Sequence, residues 1–78
     1  MANINIELGF ILQRRLKRKN IILEADTVSE ALRQCQDEFG LDLKSHLFFL
    51  NSQKVNIQDN RKLQDCDILK VISPLAGG

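Results

Sequence analysis

The residues best placed to do chemistry close the sequence: Ile72, Ser73, Pro74, Leu75, Ala76, Gly77 and Gly78. A carboxylate behind two glycines has no side chain nearby to block the approach of a nucleotide or a catalytic group. Five residues from Pro74 extend on the order of 17 Å, enough to thread a narrow channel in another protein. Two glycines at the end make little sense as packing residues and read as a probe of another protein's active site. The plain alternative is a frayed terminus that ends in glycine by chance.

Other reactive residue types are sparse. Cys35 and Cys66 have no metal-ligand spacing and are too few for a disulfide framework, so both read as reduced thiols. Cys35 falls on an apolar helix face and belongs to the core, whereas Cys66 sits in a turn. An incidental surface thiol is the plain reading of Cys66, with a persulfide or redox role as the sharper one. His46 has no Cys or Asp at ligand spacing and reads as a loop residue. With no Trp or Tyr and one His, the chain has few groups for acid–base or nucleophilic catalysis, which argues against an enzyme acting alone.

The elements that must hold the terminal segment follow from periodicity. Ile4, Ile6 and Leu8 alternate with Asn5 and Glu7, the pattern of a strand with one face in a core. Gly9 to Leu16 is ambiguous, and Lys17 to Asn20 is a polar turn before a second strand, Ile21 to Glu24, so the two strands form an N-terminal hairpin with a long connection. Thr27 followed by Glu30 is a capping box that starts a helix. Val28, Ala31, Leu32, Cys35 and Phe39 share one face of it, and Gly40 stops it. Leu47 to Leu50, Lys54 to Ile57 and Ile68 to Ile72 complete the strands, with turns at Asn51 to Gln53 and at Asp65, Cys66, Asp67.

One helix cannot cover both faces of a sheet, so it lies across one face of a mixed four- to five-stranded sheet in an α+β domain, and the other face is left to solvent or a partner. The expected division is a domain over 1–73 and a flexible tail over 74–78. Its 78 residues allow one modest core, and 44% hydrophobic with 27% charged residues is an ordinary globular balance. No apolar run reaches the roughly 18 residues a membrane span needs, and the first residues lack a secretory pattern, which makes the cytoplasm the expected location.

Three stretches carry a resemblance: Thr27-Val28-Ser29-Glu30-Ala31-Leu32-Arg33-Gln34, Leu63-Gln64-Asp65-Cys66-Asp67, and Ile72-Ser73-Pro74-Leu75-Ala76-Gly77-Gly78. Over its whole length the chain resembles the ubiquitin-like β-grasp sulfur carriers, the small subunit of molybdopterin synthase (MoaD type) and the thiamine-pathway carrier (ThiS type). That resemblance implies a β-grasp fold and a carrier role for Gly78. An activating enzyme of the ubiquitin type would join Gly78 to AMP using ATP and Mg, and a sulfur donor protein would convert the acyl-adenylate to a thiocarboxylate. The acceptor would be the molybdopterin synthase large subunit, for a molybdenum or tungsten pterin, or else thiazole synthase. The chain itself would bind no cofactor. Alternatives are a modifier joined to lysines and a noncovalent interaction module. The resembling families usually have glycine between the two aspartates where this chain has Cys66, so that turn must accept a side chain.

If Leu69 and Val71 face the helix, Ile72 points to the uncovered face, and likewise Phe48 and Leu50 point in while Phe49 points out. The resemblance puts the last strand beside the third, so Phe49 and Ile72 become neighbours in an apolar docking patch near the tail, with Phe10 as a third candidate. The bland reading tucks one of them under the connection between the first two strands. Arg14, Arg15, Lys17, Arg18 and Lys19 leave six basic against ten acidic residues elsewhere, a basic hairpin on a body of net −4. No aromatic residue interleaves that run as a stacking platform, so the reading is a solvated hairpin tip or a rim contact to an acidic partner rather than nucleic acid.

Overall fold

The computed structural model describes residues 1–73. Five strands, β1 (Ala2–Leu8), β2 (Asn20–Ala25), β3 (Leu47–Leu50), β4 (Gln53–Val55) and β5 (Ile68–Ile72), form one sheet in the order β2-β1-β5-β3-β4. The central β1 and β5 run parallel, and the other neighbours are antiparallel. Alternation fixes which side each residue takes. Ile4, Ile6, Leu8, Leu69 and Val71 are at most 1% exposed on one face.

Helix α2 (Val28–Phe39) covers that face with Val28, Ala31, Leu32 and Cys35. Thr27 Oγ1 accepts from Glu30 N–H at 3.2 Å, and Glu30 Oε2 reaches back to Asp26 N–H at 3.4 Å, one residue before the capping-box position. Gly40 ends the helix at φ 67°, with its N–H on Gln36 O.

A second helix, α1 (Phe10–Leu16), occupies the connection between β1 and β2, so the expectation of a single helix is corrected to two. Its seven residues turn only Leu12 fully inward while Phe10 and Ile11 remain exposed, too little periodicity for the sequence to signal it. Gly9 lets α1 sit against β5: its N–H donates to Val71 O at 2.8 Å, and a Cβ there would lie 3.2 Å from that oxygen. The strand ends also shift. β4 begins at Gln53 because Asn51 (φ 47°) and Ser52 (φ 73°) make a two-residue turn with both central residues left-handed, as a type I′ hairpin requires.

The turn before β5 is tied by side chains. Asp67 Oδ2 accepts from Gln64 N–H at 2.8 Å and its Oδ1 from Asn51 Nδ2 at 3.0 Å, while Asn51 Oδ1 accepts from Ile68 N–H. Between the aspartates, Cys66 stands at φ 72°, a region costly for any residue with a Cβ. Cys66→Gly is therefore expected to raise stability by about 0.5–1 kcal/mol after the entropy glycine costs, or roughly 2–8 °C in Tm. Urea titration of the two proteins checks it.

Candidate functional site

The candidate docking residues of the last and third strands fall on the uncovered sheet face. Leu47 and Phe49 of β3 and Ile68, Lys70 and Ile72 of β5 share it, with Glu7 of β1 beyond them. Leu47 pairs with Ile72 and Phe49 with Lys70, so Phe49 and Ile72 are diagonal neighbours rather than direct partners. Both line one groove of about 390 Å³, together with Ile68 and Lys70. Lys70 Nζ meets Glu7 Oε1 at 3.7 Å across its floor, an exposed pair worth little to stability. Leu47 and Ile68, 38% and 40% exposed, widen the apolar patch. Sequence reasoning passed over both, although they sit two residues before Phe49 and four before Ile72, on the same period-2 face.

Phe10, 71% exposed, stands at the start of α1, beside the Gly9 contact with the end of β5. The chain therefore leaves β5 between the sheet patch and α1. Pro74, Leu75, Ala76, Gly77 and Gly78, the expected tail and carrier residue, lie outside the described residues.

The basic run does not form a hairpin tip. Arg14 and Arg15 occupy the last turn of α1, Lys17 closes it at φ 58°, and Arg18 and Lys19 lead into β2, all five exposed. The Arg14 guanidinium lies 5.8 Å from the Phe10 ring centroid and that of Arg18 lies 5.5 Å from Phe39. Stacking on those rings orients the charges while leaving them in solvent.

The remaining candidates separate by burial. Cys35 is buried in the core, and burial, with a smaller push from the charge of Glu38, raises its thiol to about 12. Cys66 is exposed. Iodoacetamide at pH 8 is thus expected to modify one thiol of the folded chain and two after denaturation, because a thiol titrating near 12 is only about one part in ten thousand thiolate at that pH. The linkage has a sign. The folded value lies above the unfolded one, so this contribution to stability is intact below pH 9 and is lost as pH rises from about 9 to about 12. His46 Nδ1 donates to Asp42 O at 2.7 Å, holding the 3-10 turn Leu43–Ser45. Among the described residues no three His, Cys, Asp or Glu gather to hold a metal, and no helix is long and apolar enough to cross a membrane.

No protein-family profile and no curated protein matches the sequence. Solved structures do match the fold. The small archaeal modifier protein 1 from Methanosarcina acetivorans superposes with a TM-score of 0.75 at 17% identity, over 100% of this chain and 98% of that one. The same-named protein from Haloferax volcanii gives 0.74 at 15%, over 99% and 100%. A chain from the complex of subunits 1 and 2 of molybdopterin-converting factor of Helicobacter pylori gives 0.73 at 24%, over 99% and 100%. At these identities the likeness is one of fold, and the fold is the ubiquitin-like α+β β-grasp with a five-stranded mixed sheet.

Proposed function

We propose that this chain is a small ubiquitin-like sulfur carrier of the molybdopterin synthase small-subunit type, with the carboxylate of Gly78 as the group that carries sulfur. The observation that carries the reading is the groove that runs along β5 from Ile68 to Ile72 and includes Phe49, on the strand that leads into Pro74-Leu75-Ala76-Gly77-Gly78. A docked partner would hold the domain by that groove while the side-chain-free end reached its active site. The basic residues Arg14 to Lys19 on the adjoining helix would steer an acidic partner surface.

In the first step a Gly78 carboxylate oxygen attacks the α-phosphorus of ATP on an activating enzyme, forming the acyl-adenylate and releasing pyrophosphate. A donor persulfide then attacks the carbonyl carbon and AMP leaves, giving an acyl disulfide, and a second thiol of the donor system reduces that S–S bond, forming a donor disulfide and releasing the thiocarboxylate. Transfer of that sulfur to the acceptor, with water supplying the replacing oxygen, regenerates the carboxylate. Mg and ATP belong to the activating partner. The ATP requirement and the reduced thiols Cys35 and Cys66 suit the cytoplasm. The likeness to a subunit of molybdopterin-converting factor that forms a complex with subunit 2 supports a large synthase subunit as acceptor. Thiazole synthase is the other acceptor that the same chemistry would serve.

The likeness to proteins named as archaeal modifiers favours a second reading, in which Gly78 is joined to lysines of other proteins after the same adenylation. Intact mass of the chain from its own cells separates the two. A gain of about 16 Da at Gly78 marks sulfur in place of oxygen, whereas Gly-Gly remnants on lysines of other proteins mark the modifier. Neither mark, in sulfur-poor or sulfur-rich growth, would leave a noncovalent interaction module and overturn the carrier.

A further inference from the structure

The opposite margin of the sheet carries a surface that the carrier chemistry does not use. Among the described residues β2 has a neighbour on one side only. Leu8 N–H donates to Lys19 O at 3.2 Å and the β1–β2 register is unbroken, so residues 19, 21, 23 and 25 turn their N–H and C=O groups toward β1. The main-chain groups of Asn20, Ile22 and Glu24 therefore face the open edge. Ile22 is 74% exposed there. Such an edge is a template for another strand, and sheets usually blunt it with proline, a bulge or several charges. Asn20–Ala25 contains no proline and no positive φ, and its only charge is Glu24.

Charge runs along this edge in one direction. Arg18 and Lys19 precede the strand, whereas Glu24 lies near its end and Asp26 follows it. Antiparallel pairing of the segment with itself sets its basic end beside an acidic end, and parallel pairing would set like against like. We propose that β2 pairs antiparallel with the β2 of a second copy, with Ile22 opposite the partner's Ile22. Asn20 then faces the partner's Glu24, and beyond the strand ends the basic Arg18 to Lys19 segment comes near the partner's Asp26, for which Arg18 must leave the Phe39 ring. Residues 20, 22 and 24 of each strand exchange about six main-chain hydrogen bonds, and the two Ile22 side chains cover each other. Gln34 Nε2 donates to Glu24 O at 2.7 Å, so it competes for one acceptor of this ladder and keeps the pairing weak. Asp26 also meets the Met1 ammonium at 3.5 Å. Because β3 and β5 are not involved, the pairing leaves the Phe49 and Ile72 groove open and stands independently of the sulfur-carrier reading.

Sedimentation equilibrium of the full chain, from about 10 μM to about 1 mM, tests this. A reversible monomer–dimer equilibrium that weakens with salt is expected. Ile22→Pro deletes only an outward-facing N–H, and Ile22→Lys opposes two like charges across the two-fold axis; each should abolish the dimer while circular dichroism shows the fold retained. Arg18→Asp should weaken dimerisation about three- to tenfold, and adding Asp26→Arg should restore it, since the swapped charges meet only between copies. Gln34→Ala should strengthen it. Hydrogen exchange on the unaltered chain gives a readout that needs no variant: the Ile22 amide should gain protection with concentration. A chain that stays monomeric throughout, or a dimer indifferent to Ile22→Lys and to the charge swap, would overturn the proposal.

Discussion

A chain shortened by its final glycine is expected to fold and melt as the full chain does and to lose transfer of AMP to its terminus by more than about 100-fold. The loss follows from reach. Removing Gly78 withdraws the carboxylate by one residue, about 3.5 Å, and misplacing a reacting atom by even ~1 Å can cost two orders of magnitude. The fold should not register the change: among the described residues the buried core runs from Ala2 to Val71, and a glycine has no side chain to add to it. Gly78→Ala is the finer probe, since it keeps the length and adds one Cβ beside the reacting carbonyl. ATP–pyrophosphate exchange with the activating enzyme measures the first step, and thermal melting provides the control. Exchange at the full rate from a chain ending at Gly77 would remove Gly78 from its assigned role.

Phe48→Ala and Phe49→Ala should give opposite defects although the residues are adjacent. Phe48 is 3% exposed, lies between Val55 and Val71 in the sheet, and faces α2. Its truncation should cost about 3–5 kcal/mol, a large share of the roughly 4–12 kcal/mol available to a domain of this size, so the unfolding midpoint should fall steeply. Phe49 lies in the uncovered groove, where truncation removes little core contact and should cost about 1 kcal/mol or less. It should instead weaken binding of the activating enzyme or acceptor about 10- to 100-fold, as loss of a central aromatic anchor does. Calorimetric titration of each variant with the partner, paired with its unfolding curve, separates the two effects. Undiminished binding by Phe49→Ala would move the docking surface elsewhere, with α1 and Phe10 the next place to look.

Several parts of this protein were legible in one dimension. Thr27, Glu30 and Gly40 mark both ends of α2 because capping is a local matter between residues a few positions apart. The inward and outward faces of Phe48, Phe49, Val71 and Ile72 follow from a period of two that no tertiary contact needs to supply. Acyl chemistry at Gly78 was an expectation of the resemblance, and that residue lies outside the described ones. Other features were not written locally. Helix α1 has one fully buried residue, Leu12, and its position depends on Gly9 approaching the backbone of Val71 and Ile72, more than sixty residues away. The left-handed conformation of Cys66 is held by its N–H donating to Asn3 O and by the flanking bonds in which Asp65 accepts from Asn3 N–H and Asp67 from Gln64 N–H, whatever the preference of a cysteine.

What the sequence determined by itself was therefore the set of amphipathic pieces. The tertiary structure decided which strand lies beside which: Leu47 against Ile72, Phe49 against Lys70, α1 against the end of β5, and β2 left with an open edge. The reason is that periodicity tells a residue which face it takes, while pairing and register are chosen by the whole chain at once, when every apolar face competes for one core too small to satisfy alternative arrangements.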